Sequence, residues 1–290
     1  MKTFKQLMSE NKVQYSHMYI DESLHPDLQA VLDKSSSRNR LASFSSAIRK
    51  KIKAGESTGL ESDKPKKGSS RAVYFPKEPH KITLDGKEAH VHSVVKVAFH
   101  GTLDHHNKSG MLLGEHQNLA EADHFGNRHY GILSSNSDGT YTTNHESGVT
   151  APVFDSHTDG HYLHMGRVRP FKNGEFRKLT TTHDFPKGIS HEEFFHTLMH
   201  HHEESQGRTH WQTPKNVDKL SDHPFIKKTL DFVQTMGQHP GDYNKRNLGV
   251  FEHPDGSHHP VISDFGFSHS VAKEYHAARQ NMIKARHSRY

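Results

Sequence analysis

Two hydrophobic periods divide this chain near residue 167, and that division limits the folds open to it. From Arg71 onward the apolar residues come in short or alternating runs. Ala72-Val73-Tyr74-Phe75 is one run, and Lys81 to Leu84, ending at the Asp85-Gly86 turn, is another. Ala89, Val91, Val95, Val97 and Phe99 then alternate with polar residues, the period of a half-buried strand. Residues 110–125 read as a helix through Met111, Leu112, Leu119 and Ala122, and Tyr130 to Leu133 and Tyr162 to Met165 as further strands. After residue 167 the spacing is helical. Ser190-His191-Glu192-Glu193 has the form of a capping box, and Pro224 opens a helix that Gly237 is placed to end. Two short strands, Leu248 to Phe251 and Pro260 to Ser263, flank Asp255-Gly256 and read as a hairpin. A last helix is expected over 270–286. The mixture predicts an α+β architecture.

The first 70 residues follow neither pattern fully. Phe4, Leu7 and Met8 share helical spacing, Pro26 opens a short helix carrying Leu28, Val31 and Leu32, and Leu41, Phe44, Ile48 and Ile52 form another stripe. Gly55 to Ser70 reads as loop. These segments hold too few apolar residues to close a core alone, so they are expected to dock on the rest. The divisions expected are a helical or disordered extension over 1–67, a β-rich unit over 68–166 and a helical unit over 167–290.

Composition excludes several classes. Of 290 residues 31% are apolar, and no run of 18 apolar residues is present, so no membrane helix is expected. MKTFKQLMSE lacks the apolar stretch of a signal peptide. Cysteine is absent, which removes disulfides, thiolate metal sites and cysteine nucleophiles. The formal charge is +5, from 38 Lys and Arg against 33 Asp and Glu, with 30 His able to add more. Both signs are spread along the chain, the pattern of a soluble surface rather than of a dedicated nucleic-acid binder.

The chemistry-bearing stretch is 239–266. Asp242 and Asn247 precede the hairpin and Asp264 leaves it, so two carboxylates and an amide converge at one end of it. Hard oxygen ligands of this kind suit a magnesium ion that also holds phosphate oxygens, and a carboxylate beside the metal can accept a hydroxyl proton. On the strand 94–98, Lys96 lies on the Val94/Ala98 side, opposite Val95 and Val97.

Asp242, Asn247 five residues on, and Asp264-Phe265-Gly266 together resemble the catalytic loop and metal motif of the protein-kinase superfamily. His239-Pro240-Gly241-Asp242 is similar to the form used by its small-molecule phosphotransferases, and Val94-Val95-Lys96-Val97-Ala98 looks like the V-A-I-K strand. The resemblance implies a two-lobed kinase-like fold with a small β-rich N-lobe and a short, truncated helical C-lobe. It implies an enzyme that uses ATP and Mg2+ to phosphorylate a hydroxyl of a protein or small molecule. Asp242 would be the catalytic base, Asn247 and Asp264 would bind the metal, and Phe265 would pack beneath the site. Lys96 would hold phosphate, steadied by Glu121 or Glu115, with Glu121 favoured. Backbone groups from Met165 to Arg167 would meet adenine, and Gly68, Ser69 and Ser70 would cover the phosphates in place of a Gly-rich loop.

The chain departs from the family in having no G-x-G-x-x-G, Asn244 where Ser/Thr kinases carry a lysine, and no A-P-E after Asp264. A kinase-like binding module without turnover is therefore the alternative. The start of the chain is similar in composition to bacteriophage structural and accessory proteins, which implies a location in a bacterial host cytoplasm or on a virion. A histidine-metal nuclease is a third reading, resting on Asp104-His105-His106-Asn107 and on the group His196, His200, His201 and His202. His191-Glu192-Glu193-Phe194-Phe195-His196 lacks the H-E-x-x-H spacing of zincins.

Overall fold

The computed structural model describes residues 26–34, 40–68, 70–99, 111–128, 131–144, 148–172, 175, 190–205, 207, 215–237, 247–266 and 280. The chain is mixed α+β, with three mainly antiparallel sheets and helices packed against them. The expected helix over 4–8 lies outside the described residues, as does that over 270–286 apart from Gln280.

The largest sheet has five strands. β1 (Lys66–Lys67) and β2 (Arg71–Tyr74) form a hairpin, after which β3 (His80–Leu84) and β4 (Lys87–Val91) leave for another sheet. β5 (Ser93–Ala98) returns to lie beside β2, with Val73 opposite Lys96 and Arg71 opposite Ala98. The helices α1 (Pro26–Lys34) and α2 (Arg40–Lys53) cover one face of this sheet. Leu28, Leu32, Phe44 and Ile48 pack there on Ala72, Tyr74, Val95, Val97 and Tyr162, all buried.

The helix α3 (Met111–Arg128) crosses the other face. Two short strands follow, β6 (Leu133–Ser135) and β7 (Tyr141–Thr143), and join β3 and β4 in a four-stranded sheet. β8 (Val153–Ser156) and β9 (Tyr162–Gly166) then complete the five-stranded sheet in the order β1-β2-β5-β9-β8.

After Arg167 the strand β10 (Val168–Arg169) enters a third sheet. The helices α4 (His191–Ser205), α5 (Val217–Ser221) and α6 (Pro224–Met236) precede the hairpin of β11 (Leu248–Glu252) and β12 (His258–Ile262). β10 pairs with β11, so a single residue separates the five-stranded sheet from the hairpin sheet. The segment 149–151 stitches the two sheets again: Ala151 N–H donates to Ile262 O at 3.1 Å, and Ile262 N–H to Val149 O at 2.8 Å.

Local signals act where the spacing places them. Ser190 Oγ accepts from Glu193 N–H at 3.2 Å, and Glu193 Oε2 accepts from Ser190 N–H at 2.7 Å, the reciprocal capping box. Pro224 is the first residue of α6, His223 caps it through Nδ1, and Gly237 ends it at φ +58°. The hairpin register places Leu248 opposite Ile262.

Strand assignment differs from the sequence reading in three respects. The run from Ala89 to Phe99 is two strands in two sheets, broken at His92. All six residues of β5 are buried, so the strand is not half-exposed as its alternation suggested. The cause is the cover on both faces, α1 and α2 behind and α3 in front. The strands β1, β7, β8 and β10 have no counterpart in the sequence reading, which gives 55–70 as loop, because two to four residues are too few to display a period. Among the described residues, no helix is long and apolar enough to cross a membrane.

Candidate active site

Register and helix period bring the key side chains together. Arg71 and Lys96 sit on strands paired so that both side chains leave the α3 face of the sheet. On α3, Gln117, Asn118 and Glu121 are buried toward that face. The end of the hairpin supplies Ser263 and Asp264.

Lys96 Nζ donates to Glu121 Oε2 at 2.8 Å and to the Ser263 carbonyl at 2.8 Å, and lies 4.0 Å from Asp264 Oδ1. Glu121 is thus the partner of the lysine. Its side chain is 0% exposed, and its other oxygen, Oε1, lies 2.7 Å from Arg71 Nη2. That contact has ion-pair distance without the alignment of a hydrogen bond, since Oε1 has no hydrogen-bonded partner. Arg71 also donates to Asp264 and, through Nη1, to Asn118 Oδ1 at 3.0 Å. Asn118 Nδ2 donates in turn to the Gly160 carbonyl at 2.8 Å.

The four charges sum to zero: two cations, Arg71 and Lys96, against two carboxylates, Glu121 and Asp264. A buried group of this kind is stable only when each member keeps its partners. Asp264 is the open member, its side chain 40% exposed. Burial pushes its carboxyl up, but Arg71 and Lys96 overcome that and hold it at about 2. It is ionised at neutral pH.

Asn247, just before the first strand of the hairpin, is bonded through its backbone to Ser263, the residue before Asp264. Ser263 N–H donates to the Asn247 carbonyl at 2.9 Å, and the Ser263 hydroxyl to the same oxygen at 3.3 Å. Phe265 is buried against Phe232 of α6, ring centroids 5.8 Å apart, and so packs under the site. Asp242 and Ser69 lie outside the described residues.

Other expected residues take different roles. Glu115 does not reach Lys96; its Oε1 is 3.5 Å from His161 Nε2. Ser70 is buried, and its hydroxyl donates to Gln117 Oε1, so it is a structural contact to α3 and not a loose phosphate cover. Gly68 N–H donates to Arg71 O at 2.8 Å and closes the β1–β2 turn. Met165 is buried between Val94 and Val153 in the sheet. The neighbouring Gly166 and Arg167 N–H groups already donate to Pro152 and His92, at 2.7 and 2.8 Å. Those two donors are therefore engaged by protein carbonyls where the resemblance implied an adenine contact.

On α4, His200 faces Glu204 at 3.3 Å, and His201 Nε2 is 2.7 Å from the Ser221 hydroxyl. His200 thus faces a carboxylate along α4, and His201 reaches across to α5. Residues 105–107 of the other histidine group lie outside the described residues.

Arg71 is the member that sequence reading missed. A signal was present: one residue before the apolar run Ala72–Phe75, it projects to the side of the strand opposite Ala72 and Tyr74. Comparison of the chain with protein-family models, curated proteins and solved structures gives no match.

Proposed function

We propose that the chain is an ATP-dependent phosphotransferase with a protein-kinase-like, two-lobed arrangement. One observation carries this reading: a buried lysine on a central strand is paired with a helix glutamate and set 4.0 Å from an ionised carboxylate at the end of a hairpin. Phosphoryl transfer depends on positioning and charge stabilisation, which such a group can supply.

The residues fit magnesium, because Asp264 is an ionised, partly open oxygen donor and Asn247 is bonded through its backbone to the adjacent Ser263. Asn247 and Asp264 would hold the ion, which when bound would neutralise charge on the phosphate oxygens. Lys96 would bind the triphosphate, and Arg71 adds a second cation on the same face. Asp242 would orient the acceptor hydroxyl and take its proton as the acceptor oxygen bonds to the γ-phosphorus. The γ-phosphorus bond to the bridging oxygen breaks and ADP leaves.

A binding module without turnover is the second reading. It is favoured by the engagement of Ser70 and of the Gly166 and Arg167 N–H groups within the protein.

The test is thermal unfolding with and without Mg·ATP, for the native chain and Asp264→Ala. Ligand at about 100 times Kd stabilises by about 2.7 kcal/mol, which moves Tm by roughly 5 °C in a chain of this size. A magnesium-dependent rise lost in Asp264→Ala supports the site, and ADP release on adding acceptor hydroxyls separates transferase from binding module. No rise at millimolar Mg·ATP overturns the phosphotransferase reading and favours the binding module.

A further inference from the structure

The tip of the β8–β9 hairpin carries His157-Thr158-Asp159-Gly160-His161. We propose that His157, Asp159 and His161 form a binding site for a divalent transition-metal ion of the zinc class, with Glu115 of α3 as the carboxylate that orients His161.

The turn itself gathers the three side chains. His157 N–H donates to Tyr162 O at 3.1 Å, and Gly160 N–H to His157 O at 2.9 Å, which folds residues 157–161 into a tight loop. Ligand atoms of all three residues then lie within 4.8 Å of one another. A tetrahedral ion with bonds of about 2.1 Å needs its ligand atoms about 3.4 Å apart. Asp159 is exposed and His157 only partly buried, so both have the rotamer freedom to close the difference.

His161 supplies the independent reason to expect an ion. Its side chain is 9% exposed, and its Nδ1 is buried with no hydrogen-bond partner. A neutral imidazole has one N–H and one lone pair. Glu115 Oε1, 3.5 Å from Nε2, fixes the N–H on that side and leaves the Nδ1 lone pair for the metal. A histidine ligand whose second nitrogen faces a carboxylate is the usual supporting arrangement at such centres. His157 Nδ1 accepts from Asp159 N–H at 3.1 Å, so its lone pair is on Nδ1, and the ion would take the place of that exposed turn donor. The two rings lie 4.3 Å apart between centroids, so both imidazoles are already at the same side of the turn.

The donor set selects the ion. Two imidazoles and one carboxylate suit Zn2+, Co2+, Ni2+ or Cu2+, whereas Mg2+ prefers oxygen alone. The site is therefore chemically distinct from the Asp264 carboxylate, and it stands or falls independently of the phosphotransferase reading.

The experiment is calorimetric titration of Zn2+ into the untagged full chain, with the visible spectrum of the Co2+ form as a second readout. The expected result is one tight equivalent. Asp159→Asn and His157→Ala should each weaken it by more than about 100-fold, and Glu115→Gln by about 10- to 100-fold. His200→Ala, on α4, should leave it unchanged. Asp159 is exposed, so its variant should keep the metal-free melting temperature. Persistence of the tight equivalent in both Asp159→Asn and His157→Ala overturns the proposal. Weak uptake without stoichiometry, spread over the other histidines, also overturns it.

Discussion

Replacing Glu121 by Gln should be among the most costly single substitutions in the chain. The carboxylate is fully buried, 2.8 Å from Lys96 Nζ and 2.7 Å from Arg71 Nη2. At an effective dielectric constant of about 20, each contact is worth about 6 kcal/mol of gross attraction. Desolvation and relaxation reduce the cost of breaking such a group to about 3–5 kcal/mol. Glu121→Gln keeps the shape and leaves two buried cations against Asp264 alone, a net charge of +1. Removing the lysine as well, in Lys96→Met/Glu121→Gln, relieves part of that imbalance. The double variant should therefore be less destabilised than the two singles summed, by about 2 kcal/mol. Urea unfolding followed by far-ultraviolet circular dichroism gives all four stabilities of the cycle. Additivity within about 0.5 kcal/mol would show that the pair is not coupled and would refute the account of the site given above.

Two further outcomes follow from other parts of the fold. His164 is buried with neither ring nitrogen hydrogen-bonded, and burial, with His80 beside it, pulls its pKa well below 6.5. Its neutral form contributes stability that is complete above pH 6.5 and is lost as pH falls, at up to about 1.4 kcal/mol per pH unit; His164→Phe should flatten that slope, measured by urea midpoints between pH 5 and pH 7. Gly114→Ala would normally favour a helix by about 1 kcal/mol. Here the new Cβ would lie 2.3 Å from the Ser70 carbonyl, so a loss of about 1–3 kcal/mol is expected, and a gain in Tm would show that the turn can yield.

Much of the site was legible because its signals are local. Asn247 and Asp264 flank one hairpin, and pairing across two adjacent strands needs only the turn between them. Lys96 was legible from a five-residue strand pattern, and Glu121 from its place on the next helix. The role of Arg71 was not, because its partner Asp264 lies 193 residues away at the end of a different sheet, and no local spacing links the two. Ser70 reads as a loop serine until α3 is laid against the turn. The burial of Lys96 was equally hidden: alternation along β5 marks two faces but does not say that helices close both. Glu115 and Glu121 share a helix, and which one meets the lysine depends on where the β8–β9 turn packs against α3.

The single-residue joint between the two sheets bears on how rigidly the charged group is framed. Arg167 is held by its N–H to His92, by its ion pair with Glu61, and by its guanidinium 4.9 Å from the Phe75 ring centroid. With segment 149–151 bonded to β12 as well, a swing of one sheet away from the hairpin would break backbone ladders on both sides of the joint. The frame that holds Lys96, Glu121 and the Ser263–Asp264 end of the hairpin is therefore continuous backbone ladder, and the charged group keeps its spacing because the sheets cannot part without losing those bonds.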